Sequence, residues 1–529
     1  MMRTWKLLAI LLLPNLVFAQ ANPGAEQKLQ TFFKYVELAY VDSVDANKLA
    51  EDAIVAILED LDPHSTYISA KDLQKMNEPL EGKFEGVGIQ FNILKDTITV
   101  VTPIAGGPSE KLGIQSGDKI ITIDSKTVAG VGFKNKDVME SLRGEKGTKV
   151  TVEIKRRGSK ELLEFTITRD KIPIYSVDAS YMATNEIGYI KLNRFAATSM
   201  GEIHLAMDSL QGEGMNSLIL DLRGNGGGYL QTAIELADEF LGKDKMIVYT
   251  QGRSFPRDDT YSSKKGDFEK GKLVILIDEG SASASEIVTG AVQDWDRGLV
   301  IGRRSFGKGL VQKPFSLPDG SVIRLTVSRY YTPSGRSIQK PYDEGMEAYY
   351  NDLNERYKHG EYSNKDSIQF PDSLKYTTKV EGRTVYGGGG IMPDIFIPLD
   401  TTRGSTYYGK LVRKGHLNNF ALTYVDNHRD ELTNNYTNIA DFIANFDQDG
   451  TVYNELIEFA ENEGLEKDEE GLEKSEDLIE INLRALIARG IYGSGAFYQV
   501  TNSEDEAFET AIKAIEDKET FKKYKINDK

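Results

Sequence analysis

The stretch Lys272–Gln312, KLVILIDEGSASASEIVTGAVQDWDRGLVIGRRSFGKGLVQ, constrains this chain more than any other. It begins with an apolar, β-branched run, Lys272 to Asp278, that reads as a buried strand. Small residues from Glu279 to Ser283 make a turn. Beyond it Ala284, Ile287, Val288, Ala291, Val292 and Trp295 recur at helical spacing. Ser283 with Glu286 fits a capping box, which starts the helix at Ser283. A serine at a tight strand-to-helix junction can present its hydroxyl to a substrate, and the helix N-terminus supplies N–H groups for a developing oxyanion. Lys308 follows 25 residues later, in Phe306-Gly307-Lys308-Gly309. No histidine lies near in sequence, and a lysine can serve as the base a serine needs.

The 529 residues allow several domains. Residues 1–19 have the pattern of a signal peptide: Arg3 and Lys6, the apolar run Leu7–Leu13, then Val17-Phe18-Ala19. The expected product is exported to a bacterial periplasm or cell envelope and soluble after cleavage. A formal charge of −17 argues against nucleic acid as a partner, because phosphate neutralisation needs clustered Lys and Arg. The absence of cysteine excludes disulfides, thiolate metal sites and a cysteine nucleophile. No metal or cofactor is expected.

Residues 20–81 read as an N-terminal helical region, with apolar stripes Leu29, Phe32, Phe33, Val36, Ala39 and Leu49, Ala53, Ile54, Ile57, Leu58, Leu61. His64, with no paired acid evident, reads as a structural histidine. Residues 82–172 change to short strands with two brief helices. Their order, with the tetrapeptide Gly86-Val87-Gly88-Ile89, resembles a PDZ domain, whose loop of successive N–H groups caps a chain-terminal carboxylate while the peptide adds as a strand. Residues 173–400 alternate strand runs (Ile187–Leu192, Ser217–Leu222, Lys272–Asp278, Leu299–Ile301, Val322–Tyr331) with helices at Met200–Leu210 and Leu230–Leu241, an α/β domain with a central sheet. The glycines of Asp221-Leu222-Arg223-Gly224-Asn225-Gly226-Gly227-Gly228 let backbone approach a ligand. Arg223 reads as a structural ion-pair partner. Tyr342–Lys379 is expected to be a surface excursion, and residues 401–529 a helical C-terminal region. Asn445, Asp447, Asp449 and Gly450 imitate a calcium loop, but Leu456 stands where a bidentate glutamate belongs.

Gly302 to Gly309 admits two readings. As G-x-x-x-x-G-K it matches most of a phosphate-binding loop, but Gly309 replaces the magnesium-binding hydroxyl and a strand pattern follows, not a helix. The other reading is serine–lysine hydrolysis, in which residue chemistry does not choose among Ser281, Ser283 and Ser285. The sequence resembles the C-terminal processing peptidases, or tail-specific proteases, from Leu61 to about Asp394. The resemblance is carried by Leu61-Asp62-Pro63-His64-Ser65, the PDZ-like element, Asp221 to Gly228, Ser281 to Glu286, and Phe306 to Gly309 with Gln312. It implies a multidomain α/β fold: a crotonase-like protease core, an inserted PDZ domain and helical regions at both ends. It assigns Ser283 as nucleophile, Lys308 as general base and Gln312 as its orienting partner. Ala284 and Gly227 would form the oxyanion hole, Gly227 being preferred to Gly228. The implied function is a serine endopeptidase acting on proteins or peptides with accessible C-termini; it names no adaptor or oligomer. The competing reading is an inactive exported PDZ adaptor.

Overall fold

The computed structural model describes residues 23–263 and 266–527. The predicted signal peptide lies outside the described residues. Among the described residues no helix is long and apolar enough to cross a membrane.

The central sheet has the strand order Val177–Met182, Ile187–Leu192, Ser217–Asp221, Leu273–Ile277, Leu299–Gly302, Ile395–Phe396. The first pair is antiparallel and the remaining pairs are parallel. Strand positions covered on both faces are mostly apolar, which is why Leu273–Ile277 and Leu299–Ile301 appear in the sequence as unbroken runs, while Lys191 and Asp221 are buried only as an ion pair. Alternation sorts their side chains. Leu218, Leu220, Leu273 and Ile275 pack against helices Ser199–Gly212, Leu230–Phe240 and Ala284–Asp294. Ile219, Val274 and Leu276 point to the other face, against Phe508, Ala511 and Ile515 of helix Glu506–Glu516.

That second layer comes from the region read as one C-terminal unit. Its earlier helices, from Thr406–Arg413 to Ser494–Asn502, share a separate core, whereas the final helices cover the central sheet. Arg223 joins the two parts of the chain: it pairs with Asp221 (2.6 Å) and with Asp505 (2.9 Å). Burial alone would raise the Asp221 carboxyl, but the charges of Arg223 and Lys191 hold it low.

Val322–Tyr331 belongs to a second sheet, not to the central one. It pairs antiparallel with Leu310–Ser316 along one edge and with Thr66–Ile68 and Met246–Gln251 along the other. The N-terminal helices form at Pro23–Ala39 and Ala46–Leu61, but Leu29, Phe32, Ile57 and Leu61 of their stripes are exposed. In the calcium-like segment, Asp447 accepts the N–H groups of Val452 and Tyr453 at the start of the Thr451–Asn462 helix.

The PDZ-like unit has the sheet order Ile89–Leu94, Thr97–Pro103, Lys119–Ile123, Lys149–Lys155, Leu163–Thr168, with helices Pro108–Lys111 and Asn135–Leu142. Strands Lys83–Gly86 and Asp170–Pro173 pair as its two-stranded stalk. Its outer surface meets the C-terminal helices through Arg157 to the Asp426 carbonyl (2.8 Å) and Asn92 to Asn419 (3.2 Å).

Candidate active site

The Leu273–Ile277 strand ends in a turn laid against the Asp221–Gly228 loop, and the three serines take different places there. Ser281 Oγ donates to the Leu222 carbonyl (2.8 Å) and Ser285 Oγ to the Asn225 carbonyl (2.8 Å); both residues are fully buried. They fasten one loop to the other. Ser283 is half-buried and caps the Ala284–Asp294 helix with φ 57° and ψ −110°. Positive φ is costly for a side-chain-bearing residue and recurs where function fixes the backbone.

Glu286 forms its part of the expected capping box, accepting the Ser283 N–H at 2.8 Å. It also does what its place in the sequence did not announce. The same oxygen, Oε2, accepts the Lys308 N–H (2.9 Å), while Oε1 accepts the Gly307 N–H (2.8 Å) and the Ser305 hydroxyl (2.5 Å). Burial raises this carboxyl, opposed by those four hydrogen bonds. The Gly309 N–H goes to Gln339 Oε1 (2.7 Å), and a strand, Leu310–Ser316, follows. A phosphate loop needs its N–H groups open to the ligand. Here they are engaged by protein side chains, so the phosphate reading fails.

Lys308 is half-buried, and its pKa is lowered, first by burial and then by the charge of Arg324; Glu286 and Asp62 oppose this. Gln312 lies in the adjoining strand and donates its side-chain N–H to the His64 carbonyl. His64 is held there by a latch. Asp62 accepts the N–H groups of His64 and Ser65 (both 2.9 Å) and the Thr326 hydroxyl (3.0 Å). Its imidazole meets the Tyr349 hydroxyl at 2.7 Å, and burial, with Lys308 nearby, lowers its pKa to about 4. The histidine read as structural thus shapes the surroundings of Lys308 and Gln312.

The expected oxyanion hole needs one correction. Gly227 does lie against Ser283: a Cβ there would come within 2.9 Å of both Ser283 Cβ and the Ala284 nitrogen. Its N–H, however, is donated to Asn225 Oδ1 (2.9 Å), so it is not available to a ligand. The Gly228 N–H carries no hydrogen bond among the described residues. Ala284 is the first helical residue, whose N–H has no partner within the helix.

The Tyr342–Lys379 segment is more than a surface excursion. It contains the helix Met346–Lys358, whose Tyr349 and Arg356 are buried at 2% and 3% exposure. Arg356 donates to the carbonyls of Ser305 (2.9 Å) and Phe306 (3.1 Å), bracing the lysine loop from outside. Its polar composition reflects backbone partners that a linear pattern does not reveal.

In the PDZ-like unit, Gly86 ends one strand and Ile89 begins the next, an edge strand that among the described residues pairs only with Thr97–Pro103. Val87 is buried, and its carbonyl accepts from Ser109 Oγ (2.6 Å). Gly88 turns with φ 75°, and an added Cβ would stand 3.0 Å from Ile172. His204, Glu239 and Asp267 bring metal-competent atoms within 4.8 Å of one another. Glu239 already accepts from the Asp267 N–H and shares a hydrogen bond with His204.

Residues 186–347 match the model of peptidase family S41, residues 86–167 that of the PDZ domain, and residues 407–493 a family of unknown function. The chain is 39% identical to the carboxy-terminal-processing protease of Bartonella bacilliformis over 58% of its own length and 71% of that protein. It is 34% identical to the carboxy-terminal processing proteases CtpA and CtpB of Bacillus subtilis. These matches cover 61% and 60% of this chain and 68% and 66% of those proteins, respectively. With its α/β protease core, its PDZ domain and this kinship, the chain belongs to the carboxy-terminal processing serine proteases of family S41.

Proposed function

We propose that this protein is an exported endopeptidase that captures substrate C-termini in its PDZ domain and cleaves peptide bonds by a Ser283–Lys308 acyl-enzyme mechanism. One observation carries the mechanism: Ser283 alone among the three serines of its loop is kept from full burial, at a strained helix cap tied through Glu286 to a lysine of lowered pKa. Neutral Lys308 takes the Ser283 proton as Oγ bonds to the scissile carbonyl carbon. The resulting oxyanion lies at the N–H groups of Ala284 and Gly228. The ammonium then protonates the leaving amine as the C–N bond breaks. Lys308 next deprotonates water, which attacks the ester; the new C-terminal carboxylate leaves and Ser283 recovers its proton. Gln312, with its N–H held by His64, keeps its carbonyl oxygen as an acceptor suited to orient the lysine.

A serine-directed fluorophosphonate tests this assignment. Mass spectrometry of the labelled protein should place one adduct on Ser283. An adduct on Ser281 or Ser285, or none from an active preparation, removes the assignment.

The PDZ reading predicts a dependence on the substrate's end. Amidating the C-terminus removes a carboxylate that would accept charge-assisted bonds from the Val87–Ile89 loop. The kcat/KM of such a peptide should fall roughly 10–100-fold. Equal cleavage of acid and amide would show that the domain does not read the carboxylate. Export rests on residues 1–19, and N-terminal sequencing of the secreted product tests it.

A further inference from the structure

Four hydrogen bonds join the peptide groups of Ser283 and Lys308 through only two side chains. Glu286 Oε2 accepts both N–H groups, at 2.8 and 2.9 Å. On the carbonyl side, the Tyr330 hydroxyl lies 3.0 Å from the Ser283 oxygen and 2.5 Å from the Lys308 oxygen. The result is a closed ring: serine, carboxylate, lysine, phenol. Both closing side chains are 1% exposed.

We propose that Tyr330 is a positioning residue for catalysis, its hydroxyl holding the backbones of nucleophile and base in register as the counterpart of Glu286. The inference rests on the serine–lysine reading and goes beyond it by naming what fixes the pair's spacing.

The roles of the two side chains are complementary. A carboxylate oxygen accepts two N–H groups readily, whereas a phenol has one proton to offer two carbonyls. The shorter contact makes Lys308 its main acceptor, with Ser283 sharing the same positive hydrogen. The Ser283 backbone has adverse torsions, φ 57° and ψ −110°, and such a conformation persists only where its surroundings over-determine it. Glu286 and Tyr330 supply that constraint from opposite ends of the residue. Tyr330 is itself fixed, its N–H donating to the Gly309 carbonyl at 3.0 Å. Burial raises its pKa well above 10, so the hydroxyl stays a donor across the working pH range. A base and nucleophile displaced by a fraction of an ångström lose rate while substrate binding elsewhere on the enzyme is untouched.

Tyr330→Phe removes only the hydroxyl and tests the proposal. In the full chain, kcat should fall about 10–100-fold with KM within about twofold of wild type. Phosphonate labelling of Ser283 should slow in parallel. A purely structural tyrosine would lower the melting temperature while leaving kcat per folded molecule unchanged, and that result overturns the proposal. If Tyr330→Phe does not fold, Glu286→Gln supplies the second arm. It replaces an acceptor of the same ring by an amide, and the same loss in kcat without a change in KM is expected; an unchanged kcat overturns the ring as a positioning device. A Ser283→Ala control separates the two readings. An active Ser283→Ala protein removes the serine–lysine mechanism itself, whereas an inactive one beside a fully active Tyr330→Phe protein removes only the role of Tyr330.

Discussion

Ser283→Ala should abolish processing, lowering kcat by at least about 10⁴-fold, with little change in melting temperature. Alanine faces the same backbone torsions as serine at φ 57°, so the strained cap is neither relieved nor worsened. The bond from the residue's N–H to the Glu286 carboxylate is also kept, because residue 283 contributes only its main chain to it. Neighbouring hydroxyls do not substitute. Those of Ser281 and Ser285 are buried and donate to the carbonyls of Leu222 and Asn225. Their alanine variants should instead show a stability loss of about 1–3 kcal/mol each, because a buried carbonyl loses its donor. Digestion of a denatured substrate with a free C-terminus, followed by mass spectrometry, is the measurement. Turnover in purified Ser283→Ala protein within tenfold of wild type would remove Ser283 as nucleophile.

The strand that precedes Ser283 and the helix that follows it were legible because each obeys a local rule. Leu273–Ile277 is covered on both faces and hence apolar throughout; Ala284–Asp294 carries its cap and its periodic stripe in adjacent residues. Family resemblance then chose the middle serine, which chemistry alone had left open. What stayed hidden depends on residues distant in sequence meeting through polar groups. Glu286 was visible as a cap but not as the acceptor for Gly307 and Lys308, since those bonds require the next strand to return beside the helix. Tyr330 looked like any strand tyrosine. The Tyr342–Lys379 segment read as a surface excursion, although the guanidinium of its Arg356 is buried against two carbonyls. Helix Glu506–Glu516 has a clear apolar face, but periodicity does not say which sheet the face meets. Gly227 illustrates the limit at the finest scale: the glycines announced a close backbone approach, yet the Gly227 N–H is taken by the Asn225 side chain.

Lys308→Arg should lower kcat/KM by about 10²–10⁴-fold, as far as Lys308→Ala does, despite keeping a cation in place. Arginine stays protonated and cannot accept the serine's proton. The wild-type pH profile should carry the same information. In the proposed mechanism the active form of Lys308 is neutral, so kcat/KM is expected to rise with pH as the lysine loses its proton, along a limb whose apparent pKa lies below the usual 10.5. Burial is the main cause of that lowering and Arg324 the next, because both disfavour the ammonium. Arg324→Gln removes a repelling charge, lets the ammonium persist longer, and should move the rising limb to higher pH. His64 does not account for the limb: with a pKa of about 4 it is already neutral above pH 5, and His64→Gln should leave the limb where it is. Retained activity in Lys308→Arg would remove the lysine as base. A limb that vanished in His64→Gln but survived in Lys308→Ala would transfer that role to the histidine.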